Sequence, residues 1–378
     1  MNSRERVIKA LNFEEPDRVP IDWGMCTVSG IHEVAYRNLL KYLGKQEEII
    51  ISDPVQRLAL PSEDILETFG VDTRLIWANP SSGWKYEEDQ EGNWFDENGV
   101  YYKRCGYYCD FKGHPLANAD SIADLKKFRM SDPTDPQRFA GLREKAKNLY
   151  ENTDKALVAG SLASLYYVAW SLRGYEDFMA DIAADPPFAN YILDMITEWY
   201  LAFMDCYLKE IGEYVQIMWA GDDWGSQYGP LINPDEFRSN VLPRFKKIIT
   251  FMKDRSKAKL AYHSCGSVLW CMDDFIEMGV DIIQPLQANA AQMGDSQKIK
   301  QQYYKRLALH GGLDNQGKFH TTQEAVIEDA KYRIMSLAPG GGYLYATGHN
   351  IQANCPPENI VAIFETIKQF GNYPIKIS

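Results

Sequence analysis

From residue 156 onward, short apolar runs that favour strands alternate with long helical patterns, and this rhythm constrains the fold more than any other feature of the chain. Such alternation builds βα units around a parallel sheet. Six strands are expected at 156–159, 214–219, 259–263, 281–285, 307–310 and 343–346, and two earlier ones at 18–22 and 73–77. Eight strands interleaved with helices predict an α/β protein with a TIM-type (β/α)8 barrel, and a single barrel domain over 1–378. Helix starts are well marked. Asn233, Pro234 and Glu236 supply an N-cap, an N1 proline and a capping-box acid, and Pro356, Pro357 and Glu358 open the last helix in a similar way.

The segment 79–113 breaks the rhythm. It is rich in aromatic residues, among them Trp84, Trp94, Tyr102 and Tyr108, and carries the turn signals Glu91-Gly92-Asn93 and Glu97-Asn98-Gly99. An antiparallel insertion after the second strand is expected there. Loops that follow barrel strands stand over the catalytic face, so this insertion would act as a lid or as one wall of an aromatic pocket; simple hairpin packing is the alternative.

Charge and cysteine content narrow the function. With 40 basic against 52 acidic residues, the net charge of -12 repels a phosphate backbone, so nucleic acid is not an expected partner. Residues 1–9 read as the start of an amphipathic helix rather than a secretory signal, and no apolar run is long enough for a bilayer span, so a soluble, cytoplasmic protein is expected. Seven cysteines, an odd number scattered over 378 residues, argue for free thiols or metal ligands over a disulfide framework. Cys105 and Cys109 fit no finger or redox motif and are read as packing residues.

If the strand count holds, polar residues just after each strand share the catalytic rim: Asp22, Ser161, Asp222, Asp223, His263 and Cys265, followed by Gln284, Gln287, His310, Asp314 and His349. Among these, Tyr262-His263-Ser264-Cys265-Gly266 stands out. His263 and Cys265, two apart at a strand end, can point to the same side, where imidazole and thiolate make good zinc ligands. A buried histidine beside an inert cysteine is the plainer alternative. The rim after the last strand offers a third ligand, His349 by preference or Cys355, whose thiolate a helix N-terminus would favour. Three protein ligands would leave one position open, as a catalytic zinc site requires. Of the adjacent acids Asp222 and Asp223, one could face the barrel mouth for catalysis while the other caps the loop. Trp23, Trp77, Trp224, Gln284 and His310 are candidate substrate contacts near the rim. His32, His114 and His320 are placed away from it and given no role.

These residues resemble the uroporphyrinogen decarboxylase superfamily. The resemblance runs from Arg4-Glu5-Arg6 and Pro16-Asp17-Arg18-Val19-Pro20 to Gly348-His349-Asn350 and Pro357-Glu358-Asn359, nearly the whole chain apart from the insertion. It implies a one-domain barrel with its cleft at the strand C-terminal ends. The decarboxylases carry an arginine-rich stretch shortly after the Val-Pro, used to hold substrate carboxylates; here the corresponding Trp23-Gly24-Met25-Cys26-Thr27-Val28-Ser29-Gly30 has no arginine. His263-Ser264-Cys265-Gly266 resembles instead the His-x-Cys-Gly of the zinc methyltransferase branch, which includes methylcobalamin:coenzyme M enzymes and methyltransferases of methoxyarene O-demethylation. In that branch the third ligand, often Cys, follows the last strand, and His349 occupies the matching place.

The resemblance implies zinc acting as a Lewis acid and cobalamin carried by a partner corrinoid protein, since the family's Asp-x-His-x-x-Gly cobalt-ligand motif is missing here. The aromatic insertion and the rim tryptophans favour an aromatic methyl ether, in an O-demethylation, over a small thiol. Three alternatives stand beside it: a methylcobalamin:thiol methyltransferase, a decarboxylase of a small carboxylic acid using Asp222 or Asp223, and a non-enzymatic metal-binding or docking subunit.

Overall fold

The computed structural model describes residues 1–24 and 27–376; Met25 and Cys26 of the arginine-free stretch lie outside the described residues. After an N-terminal helix come three short strands, β1 (Ile31–His32), β2 (Ile51–Asp53) and β3 (Leu58–Ala59), in an antiparallel sheet of order β1-β3-β2. After β4 (Thr73–Ile76) come β5 (Asn93–Phe95), β6 (Tyr101–Cys105) and β7 (Tyr108–Gly113), which form a second antiparallel sheet of their own. The rest are β8 (Ala156–Ala163), β9 (Ile217–Gly221), β10 (Lys259–His263), β11 (Ile282–Gln284), β12 (Ala308–His310) and β13 (Tyr343–Leu344). With β4 they make a seven-stranded parallel sheet in chain order, helices between successive strands.

Residues 19–22 bridge the two edges of this sheet. Tyr345 N–H donates to the Pro20 carbonyl and Asp22 N–H to the Tyr345 carbonyl, both at 2.9 Å, while Asp72 N–H, just before β4, donates to the Ile21 carbonyl at 2.8 Å. The fold is therefore α/β and TIM-type, its eighth position filled by a segment too short to count as a full strand.

Strands covered on both faces read as continuous apolar runs, and here alternate residues separate into two buried groups. Val158, Ile217, Trp219, Ala261, Ile282 and Ala308 pack together inside the ring, with Val7 and Leu11 of the N-terminal helix Ser3–Leu11. Leu157, Met218, Leu260, Ile283 and Leu309 face the surrounding helices. Burying each such Leu, Ile or Val contributes roughly 1.5–3 kcal/mol. The same parity directs the strand ends: His263, Gln284 and His310 each follow an inward residue by two and turn inward.

At the base of the barrel, Asp72 is fully buried between two arginines, Arg6 Nη1 at 2.7 Å and Arg18 Nη1 at 2.7 Å, and also accepts the Ile21 N–H at 2.8 Å. Arg6 binds Asp17 as well, at 2.7 Å. This network ties the first helix, the closing segment and β4 together, a physical role for the Arg6 and Pro16-Asp17-Arg18 signature. Cys109 is buried in the core, whereas Cys105 is exposed. Among the described residues, no helix is long and apolar enough to cross a membrane.

Candidate metal centre and two flanking chambers

Cys265, His263 and Asp223 converge where the loops after β9 and β10 meet. One ligand atom from each lies within 4.8 Å of the others. His263 Nε2 is 3.2 Å from Asp223 Oδ1 and 3.6 Å from Cys265 Sγ. Backbone bonds stitch the two loops: Cys265 N–H donates to Asp223 Oδ1 at 2.8 Å, Trp224 N–H to Ser264 Oγ at 2.9 Å, and Ser267 N–H to the Ser226 carbonyl at 2.8 Å. Gly266, at φ +83°, makes the approach possible; a Cβ there would come within 2.1 Å of the Gly225 carbonyl oxygen.

The other ring nitrogen of His263 is oriented from beneath. Its Nδ1 meets Gln284 Oε1, and Gln284 Nε2 in turn donates to the Val28 carbonyl at 3.2 Å. Because Oε1 can only accept, Nδ1 carries the proton and Nε2 is left to face Asp223 and Cys265. Gln284 is thus fully buried as a support for the histidine and not a substrate contact.

The electrostatics describe a site short of positive charge. Crowding by the chamber walls works against the Asp223 carboxylate, but His263, the Cys265 N–H and His349 outweigh it and hold its pKa at about 2. Burial likewise opposes ionisation of Cys265, yet the neighbouring His263 and His349 bring its thiol below the ordinary value. Burial lowers His263, and the ionised Cys265 and Asp223 overcome it and raise it well above the ordinary value. Nitrogen, sulfur and oxygen donors, two of them anionic, are a donor set that fits zinc, with space left for a further ligand.

Two cavities meet at this cluster. One, about 540 Å³, is walled by aromatic side chains, including Tyr166, Tyr167, Trp170, Phe178, Tyr200 and Trp224, and reaches His263, Asp223 and His349. The other, about 680 Å³, reaches Cys265 and His349 and is walled by amides, including Gln227, Gln287, Asn289, Asn315 and Gln352. Neither is lined by Lys or Arg among the described residues.

A family model for uroporphyrinogen decarboxylase (URO-D) matches residues 110–370, more than half of the chain. The chain belongs to the uroporphyrinogen decarboxylase family. Within it, the chain is 23% identical to the uroporphyrinogen decarboxylase of Rickettsia felis over 273 residues, 70% of this chain and 75% of that protein. It is 22% identical to that of Alkalilimnicola ehrlichii over 396 residues, 97% and 94% of the two chains. Among solved structures it shares its fold with a methyltransferase from Methanosarcina mazei, at a TM-score of 0.65 and 20% identity over 98% of this chain and 99% of that one.

The structure of this uroporphyrinogen decarboxylase family member distributes the sequence-derived candidates unevenly. It brings His263 and Cys265 together, and it adds Asp223, which sequence reasoning had left undecided against Asp222. Asp222 is the cap: its carboxylate accepts the Ser164 hydroxyl and the N–H groups of Leu165, Tyr166 and Tyr167 at 2.7–2.9 Å, opening the helix Tyr166–Arg173. Burial pushes it up to about 6, but with its oxygens already engaged it has little capacity for a catalytic task. The His349 ring centre lies 6.5 Å from that of His263, beside the three-donor cluster and in contact with both chambers. Cys355 is buried elsewhere, its thiol donating to the Phe319 carbonyl at 3.4 Å, and burial raises its pKa to about 12 in place of the expected thiolate.

Trp224 lines the aromatic chamber, held by its Nε1–H to Tyr262 Oη at 2.7 Å. Trp23 turns outward onto Phe69 and Phe364, and Trp77 covers Gly160, so neither lines a chamber. His310 is fully buried inside the barrel against Asp22 at 2.9 Å, too deep to meet a substrate. His320, given no role from sequence, lines the amide-walled chamber, as do Tyr107 and Tyr108 where β6 turns into β7; Trp94 and Tyr102 of the same sheet stack at 4.3 Å in the core. The Tyr166–Phe178 stretch was missed. Its signal was the aromatic run directly after an apolar strand.

Proposed function

We propose that the chain is a zinc- and corrinoid-dependent methyltransferase, its residues 1–378 working as one unit, that moves a methyl group between an aromatic methyl ether and the cobalamin of a partner corrinoid protein. The observation that carries this reading is the Asp223, His263 and Cys265 cluster at the junction of an aromatic chamber with a wider polar one. Zinc held there would supply Lewis acidity toward a substrate oxygen. Gln284 keeps Nε2 of His263 available as a ligand, and Asp223 and Cys265 supply the negative charge. His349 stands beside them as a further ligand or a contact to the substrate.

The aromatic walls exclude water and seat the ring of the ether, and Asp222 fixes the helix that brings Tyr166 and Tyr167. In such a transfer the O–CH3 bond would break with its electron pair left on the substrate oxygen, and a reduced corrinoid supplied by the partner would provide the electron pair that accepts the methyl group. The shared fold with a methyltransferase is consistent with this chemistry. The names of the curated relatives favour a second reading, decarboxylation of a carboxylic acid. Against it stands the absence of Lys and Arg from the described walls of both chambers, since a tetrapyrrole with many carboxylates would find no guanidinium or ammonium group there.

Incubation of zinc-loaded protein with 2-methoxyphenol and cob(I)alamin tests the two. Formation of methylcobalamin, lost in Cys265→Ala, is expected. No methylcobalamin from any methyl ether or thiol, together with carbon dioxide released from a small acid, would reverse the choice.

A further inference from the structure

The aromatic chamber holds three carboxylates, and two of them are committed. Asp222 accepts four donors from the loop and helix start at 164–167. Asp223 is turned to His263 and the Cys265 N–H. Asp53, the last residue of β2, is different. Gln56 gives its Oδ1 a backbone N–H at 2.9 Å and its Oδ2 a side-chain amide at 3.2 Å, and the Val55 N–H adds a third contact, which still leaves the carboxylate acceptor capacity to spare. Its position is fixed through Gln56, whose amide also donates to the Thr27 carbonyl at 3.1 Å and whose Oε1 accepts from Asn350 at 2.8 Å. Burial raises the Asp53 carboxyl above its ordinary value, as expected for an acid with no cation to offset the loss of water.

We infer that the aromatic chamber selects methyl donors without a carboxylate, and that Asp53 is the residue that sets this selectivity by accepting a hydrogen bond from a phenolic hydroxyl and repelling an anion. The inference rests on the methyl-ether reading above and narrows its substrate class. A methoxybenzoate would carry its charge into a chamber whose described walls offer no Lys or Arg, and would meet Asp53 as a like charge. A methoxyphenol loses neither way: its ring packs on Tyr and Trp faces, and its hydroxyl finds an acceptor already held in place.

Binding to the full-length protein, with and without zinc, can be followed by quenching of tryptophan fluorescence, using 2-methoxyphenol, 4-hydroxy-3-methoxybenzoate, methoxybenzene and choline as probes. Wild type should bind 2-methoxyphenol at least about tenfold more tightly than the benzoate. In Asp53→Asn that ratio should collapse toward one through better binding of the benzoate, and Asp53→Ala should in addition lose the preference for 2-methoxyphenol over methoxybenzene; thermal melts establish that both variants fold. Equal binding of phenol and benzoate by wild type, an unchanged ratio in folded Asp53→Asn, or tightest binding of choline would each overturn the inference. Selective binding without methyl transfer to cobalt would support the chamber's selectivity and sink the methyltransferase reading. Methyl transfer with equal use of both donors would do the reverse.

Discussion

At the base of the barrel, Asp72 is enclosed by Arg6 and Arg18, whereas at the rim Asp223 shares its space with a thiol and an imidazole. Both are acids held by short contacts between segments distant in sequence. At the base every charge has its opposite, and the network does nothing but hold the first helix, the closing segment and β4 in one place. At the rim, two groups that favour ionisation face the imidazoles of His263 and His349, with no Lys or Arg beside them, a donor set that suits a cation. Balanced clusters secure a fold, and unbalanced ones mark where it was built to bind something.

Base and rim can be disrupted separately. Asp72→Ala leaves the largely buried Arg18 without an acidic partner and Arg6 with Asp17 alone, and should cost about 3–5 kcal/mol of folding stability in a denaturant titration, while zinc per folded molecule stays unchanged. A loss under 1 kcal/mol would show that the base network is not what closes the ring. Asp222→Ala, one residue from the rim acid, should have a smaller effect, about 1–2 kcal/mol as for a lost helix cap. Its second consequence is looser binding of 2-methoxyphenol, because the helix carrying Tyr166 and Tyr167 loses its anchor. If Asp222→Ala melts like wild type, the division of labour between the two adjacent aspartates is wrong.

Much of this was readable from strand ends. Parity along β10, β11 and β12 places His263, Gln284 and His310 inward, and the spacing of two brings Cys265 to the same side. Parity applied to 18–22 also puts Trp23 in step with Val19 and Ile21, which face the outer helices, so its outward turn was legible although proximity to the rim suggested otherwise. Other features had no periodic signal. Which of Asp222 and Asp223 turns inward depends on the path of one loop and on the donors of the 164–167 segment. The distance of Cys355 from the cluster follows from the course of the chain after His349, where the Phe319 carbonyl takes the thiol. Asp53 comes from a three-residue strand in a small antiparallel sheet, and only the assembled chamber shows what it faces.

Whether the rim cluster is a metal centre is tested most directly by the metal content of protein produced with zinc, measured by elemental analysis. Wild type should carry about one zinc per chain, Cys265→Ala and Asp223→Ala should carry almost none, and Cys355→Ala should keep it. A zinc-free wild type, or a Cys265→Ala variant that retains the metal, would contradict it.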